Sequence, residues 1–476
     1  MKSVLAIDLG ATSGRAVLHH IEEGKLISKE ICRFSNQPMK ERGFLCWNME
    51  DLFSHILDAI KQANSLSDLQ SVGIDTWGVD FALLDDKGQL ISSPVHYRDN
   101  RTKGVLEEVA QISSLSELYF KTGNQLMEIN TLFQLLRAKS KSPDSYFKAR
   151  NLLMIPDYFN YLLTGKKVIE RSIASTMQLV NPFTKTWNNE ILEMFEVSDA
   201  LFPPLVDEGV VLGDVLEKYK VGTPSVITVC EHDTASAITA IPTEDEKTLF
   251  ISSGTWSLIG TELPYPIINE QSLKHNFTNE AGYGGTTTFL KNCTGLWIVE
   301  ELKRSYEAQG KDFNFDEIVE MVQAVIDPVA LIDTDSREFS EPGQMIEKIQ
   351  AYAKQSGQRV PKTSGEIFKV AYTSLAYKYH QVIEDLEDIL GYSFTNLHLI
   401  GGGSKSTYFS QLIADVTQKT VITGLTEATS IGNALVQFIA LEELASIKEA
   451  RALVKQSIQF KNYYPNNKEV DDGTLS

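Results

Sequence analysis

The sequence predicts an α/β protein built from two halves of similar design. The chain has 476 residues, longer than one hydrophobic core ordinarily supports. Apolar strand-like runs alternate with amphipathic helical stretches, the pattern of an α/β sheet. A strand, a turn of glycine and hydroxyl residues and a second strand occur together twice, around Gly10–Gly14 and again around Ser252–Ser257. The polar run from Ile241 to Lys247 is the best boundary, giving domains of 1–243 and 244–476.

The first unit runs from Ala6 to Leu18. Val4 to Leu9 reads as an apolar strand, Gly10 to Gly14 as a tight turn and Ala16 to Leu18 as a second strand, with Ala11, Thr12 and Ser13 between the glycines. Glycine permits positive φ and close approach of a ligand to the backbone. Successive amides in such a turn form an anion-binding concavity. Arg15 can add a cation, and Asp8, at the end of a buried strand, can hold a metal. An ordinary β-hairpin has the same outline, so on this stretch alone both readings stand.

Composition narrows the function. Hydrophobic residues make up 42% and charged residues 22%, a globular balance. With 44 Lys and Arg against 63 Asp and Glu, the net charge is −19, which argues against nonspecific nucleic-acid binding. The N-terminal MKSVLAIDLG is not expected to be a signal peptide, and no run of about 18 apolar residues predicts a membrane span. Cys32, Cys46, Cys230 and Cys293 make neither a zinc pattern nor a disulfide framework, so a reduced, cytoplasmic enzyme is expected.

Along the first half, Asn48 caps a helix whose apolar face is Leu52, Phe53, Ile56, Leu57 and Ile60. Leu69 to Asp75 is a strand that runs into Thr76–Asp85, where Gly78 allows close approach of a ligand or another backbone. The loop Tyr97-Arg98-Asp99-Asn100-Arg101 reads either as a solvated ion-pair loop or as a polar wall for hydroxyls. Residues 104–165 are mostly helical, with Leu132, Leu135 and Leu136 on one stripe and Gly165 as the stop. Asn181-Pro182 and Lys185-Thr186-Trp187 read as a turn. Ser225 to Val229 is a strand running into Cys230-Glu231-His232-Asp233-Thr234. Ligands of open α/β sheets bind beyond the carboxyl ends of strands, so Asp233 is a candidate general base. It is equally a candidate helix cap.

The second half opens with the strand Thr248–Ile251, the turn Ser252–Ser257 and the strand Leu258–Gly260. Lys291–Trp297 then leads into an amphipathic helix, and a long helix covers about Gly365–Leu390. Leu397–Ile400 is a strand, and Gly401-Gly402-Gly403 before a helix leaves room for a base or a phosphate. The spacing is not that of a Rossmann fingerprint. Glu427–Ala434 starts a closing helix, and Asp471–Ser476 is expected to fray. Paired phosphate hairpins are the plan of the actin-like ATPases. The expected fold is therefore α/β and two-domain, actin-like (ribonuclease H-like), with a nucleotide and sugar cleft between duplicated domains.

Taken together, DLGATSGR at Asp8, GIDTWGVDF at Gly73, YRDNRT at Tyr97, PDYFNYLLTG at Pro156, EHDTASA at Glu231, SSGTWSLIG at Ser252, KNCTGLW at Lys291 and IGGGSKS at Ile400 resemble the FGGY carbohydrate kinases. TWGVDF, HDTASA and SSGTWSL point to the branch that phosphorylates the 1-hydroxyl of L-rhamnulose with ATP. The resemblance implies that Ala11, Thr12, Ser13, Gly14 and Arg15 cradle the ATP phosphates, with Asp8 and Asp233 on Mg2+. It implies that Thr255 meets phosphate from the second hairpin and Gly402 lies against the adenosine. Gly78, His232, Asp233, Thr234 and Asn292 are implied to contact the ketose, with Asp233 as general base. Glu300 stands near the nucleotide where an uncharged amide is expected, and a carboxylate near phosphates is unfavourable unless paired or metal-bound. Glu231 is a second acidic residue beside the base. The implied partners are a small ketose and ATP, with no nucleic acid and no membrane, and the chain is implied to be a monomer or small homo-oligomer. The alternatives are an FGGY kinase for L-fuculose, L-ribulose or D-xylulose, and an actin-like ATPase without sugar kinase activity.

Overall fold

The computed structural model describes residues 2–243 and 247–466. The tail Asp471–Ser476 and residues 244–246 of the polar boundary run lie outside the described residues. The chain forms two compact units, and the division is discontinuous in sequence. Residues 1–246, 262–289 and 427–459 make the first, and residues 247–261, 290–426 and 460–476 make the second. The strands Trp256–Leu263 and Thr287–Thr294 therefore run across the division.

In the first unit the main sheet has the strand order Val211–Asp214, Ser225–Ile227, Asp68–Thr76, Lys2–Leu9, Ser13–Glu22, Lys25–Ser35. Lys2–Leu9 pairs in parallel with Asp68–Thr76, which pairs in parallel with Ser225–Ile227. The other pairs are antiparallel. The central strand is apolar at Val4, Leu5, Ala6, Ile7 and Leu9, all fully buried, because helices cover both faces of a parallel centre. One of them is Met49–Leu66, capped by Asn48 Oδ1 accepting from the Asp51 amide as expected. Another is Ala428–Ala440, whose Gln437 side chain donates to the Leu5 carbonyl (3.1 Å).

The opening hairpin is longer than its apolar core suggested. Its second strand reaches Glu22 and a third strand follows, since polar edge strands carry a weaker hydrophobic signal. The stretch 104–165 is helical as expected, except for a short buried strand, Asn151–Met154, that pairs with Phe81–Leu84. The helix Ile155–Thr164 ends at Gly165 with φ of 79°.

The second unit repeats the plan. Its sheet has seven strands, in the order Thr278–Ala281, Thr287–Thr294, Trp256–Leu263, Leu249–Ser253, Asn396–Ile400, Thr420–Thr423, Lys461–Tyr463, the first of them from residues of the first unit. Leu249–Ser253 pairs antiparallel with its hairpin partner and parallel with Asn396–Ile400, as Lys2–Leu9 does with its own neighbours. The next pair is again parallel and the edge pair again antiparallel. The helix Ser364–Leu390 precedes the parallel strand here, started by a capping box between Thr363 and Glu366. From Lys461–Tyr463 to Trp256–Leu263 this sheet repeats the strand order and directions of Val211–Asp214 to Ser13–Glu22, the duplication read from the hairpins.

Candidate active site

In the first unit, three parallel elements end on the same side of the sheet. Asp8 is the register partner of Asp75, and Thr76 bridges in parallel to His232, with the Thr76 amide donating to the Glu231 carbonyl (2.9 Å). Asp8, Asp75 and Asp233 therefore gather at carboxyl ends of strands, the usual place for a ligand in an α/β sheet.

The hairpin turn is pinned from below. The Gly10 amide donates to the Ser13 carbonyl (2.9 Å), and Asn36 donates its amide to Thr12 O (3.0 Å) and its side chain to Gly10 O (2.9 Å). Among the described residues, no acceptor is used by the amides of Ala11 and Thr12, which leaves a cradle for an anion. Arg15 leans on its own hairpin. Its Nε and Nη2 both donate to Asp8 Oδ2 (2.8 and 2.5 Å), and Nη1 reaches Glu427.

Asp75 is fully buried. Oδ2 accepts from Asn433 Nδ2 (2.6 Å), while Oδ1 has no hydrogen-bond partner. Burial, and then the charge of Asp8, push its pKa well up. Asn433 also donates to Gly73 O and accepts from Gln437, so the Ala428–Ala440 helix supplies the support.

Gly78 packs on Thr176, whose side chain a Cβ at Gly78 would meet at 3.0 Å. The next residue, Val79, has φ of 66°, a conformation that a β-branched side chain rarely adopts. It is held there by Thr176 Oγ1 accepting from its amide (3.0 Å) and by Thr131 Oγ1 donating to its carbonyl (2.6 Å). Asp80 is a buried hub. Oδ2 accepts from Trp47 Nε1 (2.6 Å), Trp77 Nε1 (3.0 Å) and the Tyr97 amide (3.1 Å), and Oδ1 accepts from Gln134 Nε2 (2.8 Å). The loop at Tyr97–Thr102 is hydrogen-bonded into this wall. Asp99 accepts from the Leu45 and Arg101 amides, and Arg101 donates to Gln134 Oε1 (2.6 Å).

Asp233 is the first residue of the helix Asp233–Thr239, and its N-cap is His232. The Asp233 side chain is 33% exposed, and Thr234 Oγ1 donates to its Oδ1 (3.2 Å). Burial and the charge of Asp8 raise its pKa, against the pull of His232. Glu231 is fully buried and turned toward Asn160, whose Nδ2 donates to Oε1 (2.7 Å). Beneath it, Glu170 accepts from the Glu231 amide (3.0 Å) and from Ser172 Oγ (2.5 Å), and Ser172 Oγ accepts from the His232 amide (3.1 Å). Glu170 and Ser172 thus fix the backbone that leads into Asp233.

In the second unit, three of the sequence motifs converge. The turn at Gly254–Thr255 receives the Leu296 amide on Gly254 O (2.8 Å) and the Gly295 amide on Thr255 O (3.2 Å). A Cβ on Gly295 would fall 2.6 Å from Gly254 O. Gly401 and Gly403 abut Ser253 of the same hairpin, which brings Gly402 beside Thr255's turn. Glu300 lies in the first turn of the helix Trp297–Glu307, where the amide dipoles favour a carboxylate. Asn292 is half-buried on the strand Thr287–Thr294.

The FGGY N-terminal domain matches residues 3–240 and the FGGY C-terminal domain residues 249–441. The chain belongs to the FGGY family of carbohydrate kinases. It is 41% identical to a rhamnulokinase of Oceanobacillus iheyensis over 96% of this chain and 97% of the relative. It is 40% identical to one of Halalkalibacterium halodurans over 98% and 100%. Solved structures share the fold. These include a gluconate kinase of Lactobacillus acidophilus (TM-score 0.78, 17% identity, 98% and 94% coverage) and a Plasmodium falciparum glycerol kinase with ADP (0.79, 12%, 98% and 94%). Among the described residues of this FGGY kinase, no helix is long and apolar enough to cross a membrane.

The fold brings together Asp8, the hairpin turn, Gly78, His232, Asp233 and Thr234 in the first unit, and Thr255 and Gly402 in the second. Glu300 and Asn292 are reached from the same unit as Thr255 by a helix start and a neighbouring strand. Sequence reasoning passed over Asp75, Glu427, Asn433, Thr176 and Glu280. Asp75 stands inside a quoted motif, and pairing in register with Asp8 is the signal that exposes it. Glu427 and Asn433 belong to the stretch read as the closing helix, and with Thr176 and Glu280 they are found as site residues only through their contacts.

Proposed function

We propose that this FGGY kinase transfers the γ-phosphoryl group of ATP to the 1-hydroxyl of L-rhamnulose, giving L-rhamnulose 1-phosphate and ADP. The observation that carries the chemistry is Asp233. It is a partly exposed carboxylate with raised basicity, beside His232 and within the electrostatic reach of Asp8 on the phosphate hairpin. The sugar itself is supported by the rhamnulokinase relatives, which align over nearly the whole chain.

Phosphoryl transfer needs positioning and charge neutralisation more than covalent catalysis. The amides of Ala11 and Thr12 hold phosphate oxygens, Ser13 and Gly14 complete the turn, and Arg15 braces Asp8. Thr255 and Gly402 serve the nucleotide from the second unit, where Glu300 stands at a helix N-terminus. Gly78, His232, Thr234 and Asn292 orient the ketose. Asp233 accepts the proton of the 1-hydroxyl while that oxygen attacks phosphorus in line and ADP departs.

The carboxylates suit Mg2+, which takes hard oxygen donors and ordinarily uses one or two protein carboxylates, keeping waters and phosphates for the rest. Asp75 Oδ1 is buried without a donor, and Asp8 and Asp233 both raise the pKa of Asp75. This is a concentration of negative charge that a cation relieves. Among the described residues no group of three or more His, Cys, Asp or Glu side chains is placed to hold a metal ion by itself. Asp8 and Asp233 would hold the ion, which when bound neutralises phosphate charge. The cytoplasm is the proposed compartment, where its four cysteines stay free thiols.

A coupled ADP-release assay over a panel of ketoses tests this reading. The expected result is turnover with L-rhamnulose well above that with L-fuculose, L-ribulose or D-xylulose. A signal from one of those with none from L-rhamnulose overturns the substrate. Sugar-independent ATP hydrolysis at the same rate overturns the kinase reading.

A further inference from the structure

His232 lies between two carboxylates. Its Nδ1 is 3.2 Å from Glu280 Oε2 and its Nε2 is 3.5 Å from Asp233 Oδ1. The shorter contact lies at the outer edge of hydrogen-bonding distance for a nitrogen donor, and the longer one exceeds it. The ring is therefore anchored by Glu280 and only faces Asp233. The His232 and Glu280 side chains are 9% and 8% exposed, so water cannot readily take the place of either partner.

Glu280 is itself held rigidly. It sits in the strand Thr278–Ala281, where the Ala281 amide donates to Ser175 Oγ (2.9 Å). Asn124 Nδ2 links the same pieces, donating to Ser175 O (2.8 Å) and Thr278 Oγ1 (3.3 Å). The backbone of His232 is fixed separately, by its amide donating to Ser172 Oγ (3.1 Å). With the backbone fixed on one side and the ring tied on the other, one imidazole orientation remains.

We propose that Glu280 is a positioning residue for phosphoryl transfer, accepting the hydrogen bond of His232 Nδ1–H so that the ring presents Nε2 toward Asp233 and the bound ketose. The proposal rests on the reading of Asp233 as the base. A neutral imidazole carries one N–H, and a strong acceptor at Nδ1 decides which nitrogen holds it. This is the arrangement in which a third group orients the partner of a catalytic residue.

The test uses the full chain with saturating ATP and the ketose that the wild type turns over best. Glu280→Leu removes the acceptor at similar size, and Glu280→Gln keeps a neutral acceptor. The expected result for Glu280→Leu is a kcat about 10- to 100-fold lower, with KM for ATP within about twofold. Glu280→Gln restores kcat to within about fivefold of wild type. In 15N-histidine-labelled protein, the His232 resonance, assigned with His232→Gln, shows an Nδ1–H form in the wild type and loses it in Glu280→Leu. Wild-type kcat in Glu280→Leu, or an unchanged His232 signal, overturns the proposal. Should Glu280→Leu fail to fold, Glu280→Asp, whose shorter reach breaks the same bond, is judged by the same two readings. Normal turnover in Asp233→Asn would instead refute the base, a separate result, and an inactive wild type with L-rhamnulose would refute only the substrate.

Discussion

Arg15 donates two hydrogen bonds to a single oxygen of Asp8, from Nε at 2.8 Å and from Nη2 at 2.5 Å, while its third arm reaches Glu427. The guanidinium therefore has its charge balanced by protein carboxylates before any phosphate arrives, and it fixes the direction in which Asp8 points. Lysine has one point of charge and no fork, so it cannot make this bracket. Arg15→Lys is expected to lower kcat/KM for ATP about 10-fold or more and to lower the melting temperature by a few degrees. Steady-state kinetics with a thermal melt on the same preparation check it. Unchanged ATP kinetics would show that the bracket is dispensable.

Asp80 supplies a pH signal that can be read by light. Burial raises its pKa from the ordinary 3.8 to about 6, against the hydrogen bonds from Gln134, Trp47 and Trp77. The folded protein then holds this proton more tightly than the unfolded chain. The stability it lends is present in full below pH 3.8 and is lost as pH rises through about 6, a change of about 3 kcal/mol. Two indole N–H groups donate to the same oxygen, so tryptophan emission should titrate with a midpoint near pH 6. Asp80→Asn should abolish that step, because its side chain does not ionise. A flat wild-type titration between pH 5 and 7 would contradict this.

Thr176 holds Val79 in its left-handed conformation and packs under Gly78. Thr176→Val keeps the shape but leaves the Val79 amide without its acceptor, at a cost of about 1–2 kcal/mol. Relaxation of φ at Val79 would carry Gly78 away from the place proposed for it beside the ketose. The expected result is a KM for the ketose raised about 10-fold with KM for ATP unchanged. Equal change in both constants would point to general loosening.

The sequence carried those features that local chemistry dictates. The glycine turn at Gly10–Gly14, the Asn48 cap and the strand-to-helix passage at His232–Asp233 are each set by a few neighbouring residues, and each forms as read. The repeated hairpin was enough to indicate a duplicated sheet because strand order follows from hairpin and crossover connections. Long-range contacts were not legible. Nothing near Glu280 in the sequence says that it meets His232, and Glu427 and Arg15 lie 412 residues apart. The side chain of Glu231 illustrates the same limit. It stands two residues before Asp233, yet it points into a buried network with Asn160 and Asp157.

Gly432 is where the helix Ala428–Ala440 meets the helix that carries Asp233. A Cβ there would lie 1.7 Å from the Ser236 carbonyl oxygen, which is backbone and cannot swing aside. Gly432→Ala must push the two helices apart, costing about 2–4 kcal/mol or more. Chemical denaturation should show the loss. Because Asn433 on the next position supports Asp75, activity should fall as well. Wild-type stability in this variant would mean that the two helices are not in close contact.

Asp233→Asn tests the chemistry most directly. The amide keeps the size of the side chain and can still accept from Thr234 Oγ1, so the local fold should survive. It has no basicity to take up the proton of the attacking hydroxyl. Turnover should drop about 10²-fold or more, while binding of ATP and ketose, measured by calorimetry, stays near wild type. The pH profile carries a second reading. With the Asp233 pKa raised by burial and by Asp8, the acid limb of kcat/KM should lie above the range of an ordinary aspartate, since protonation removes the base. Replacing Asp8 by Asn removes a carboxylate that raises it, and the acid limb should then move to lower pH.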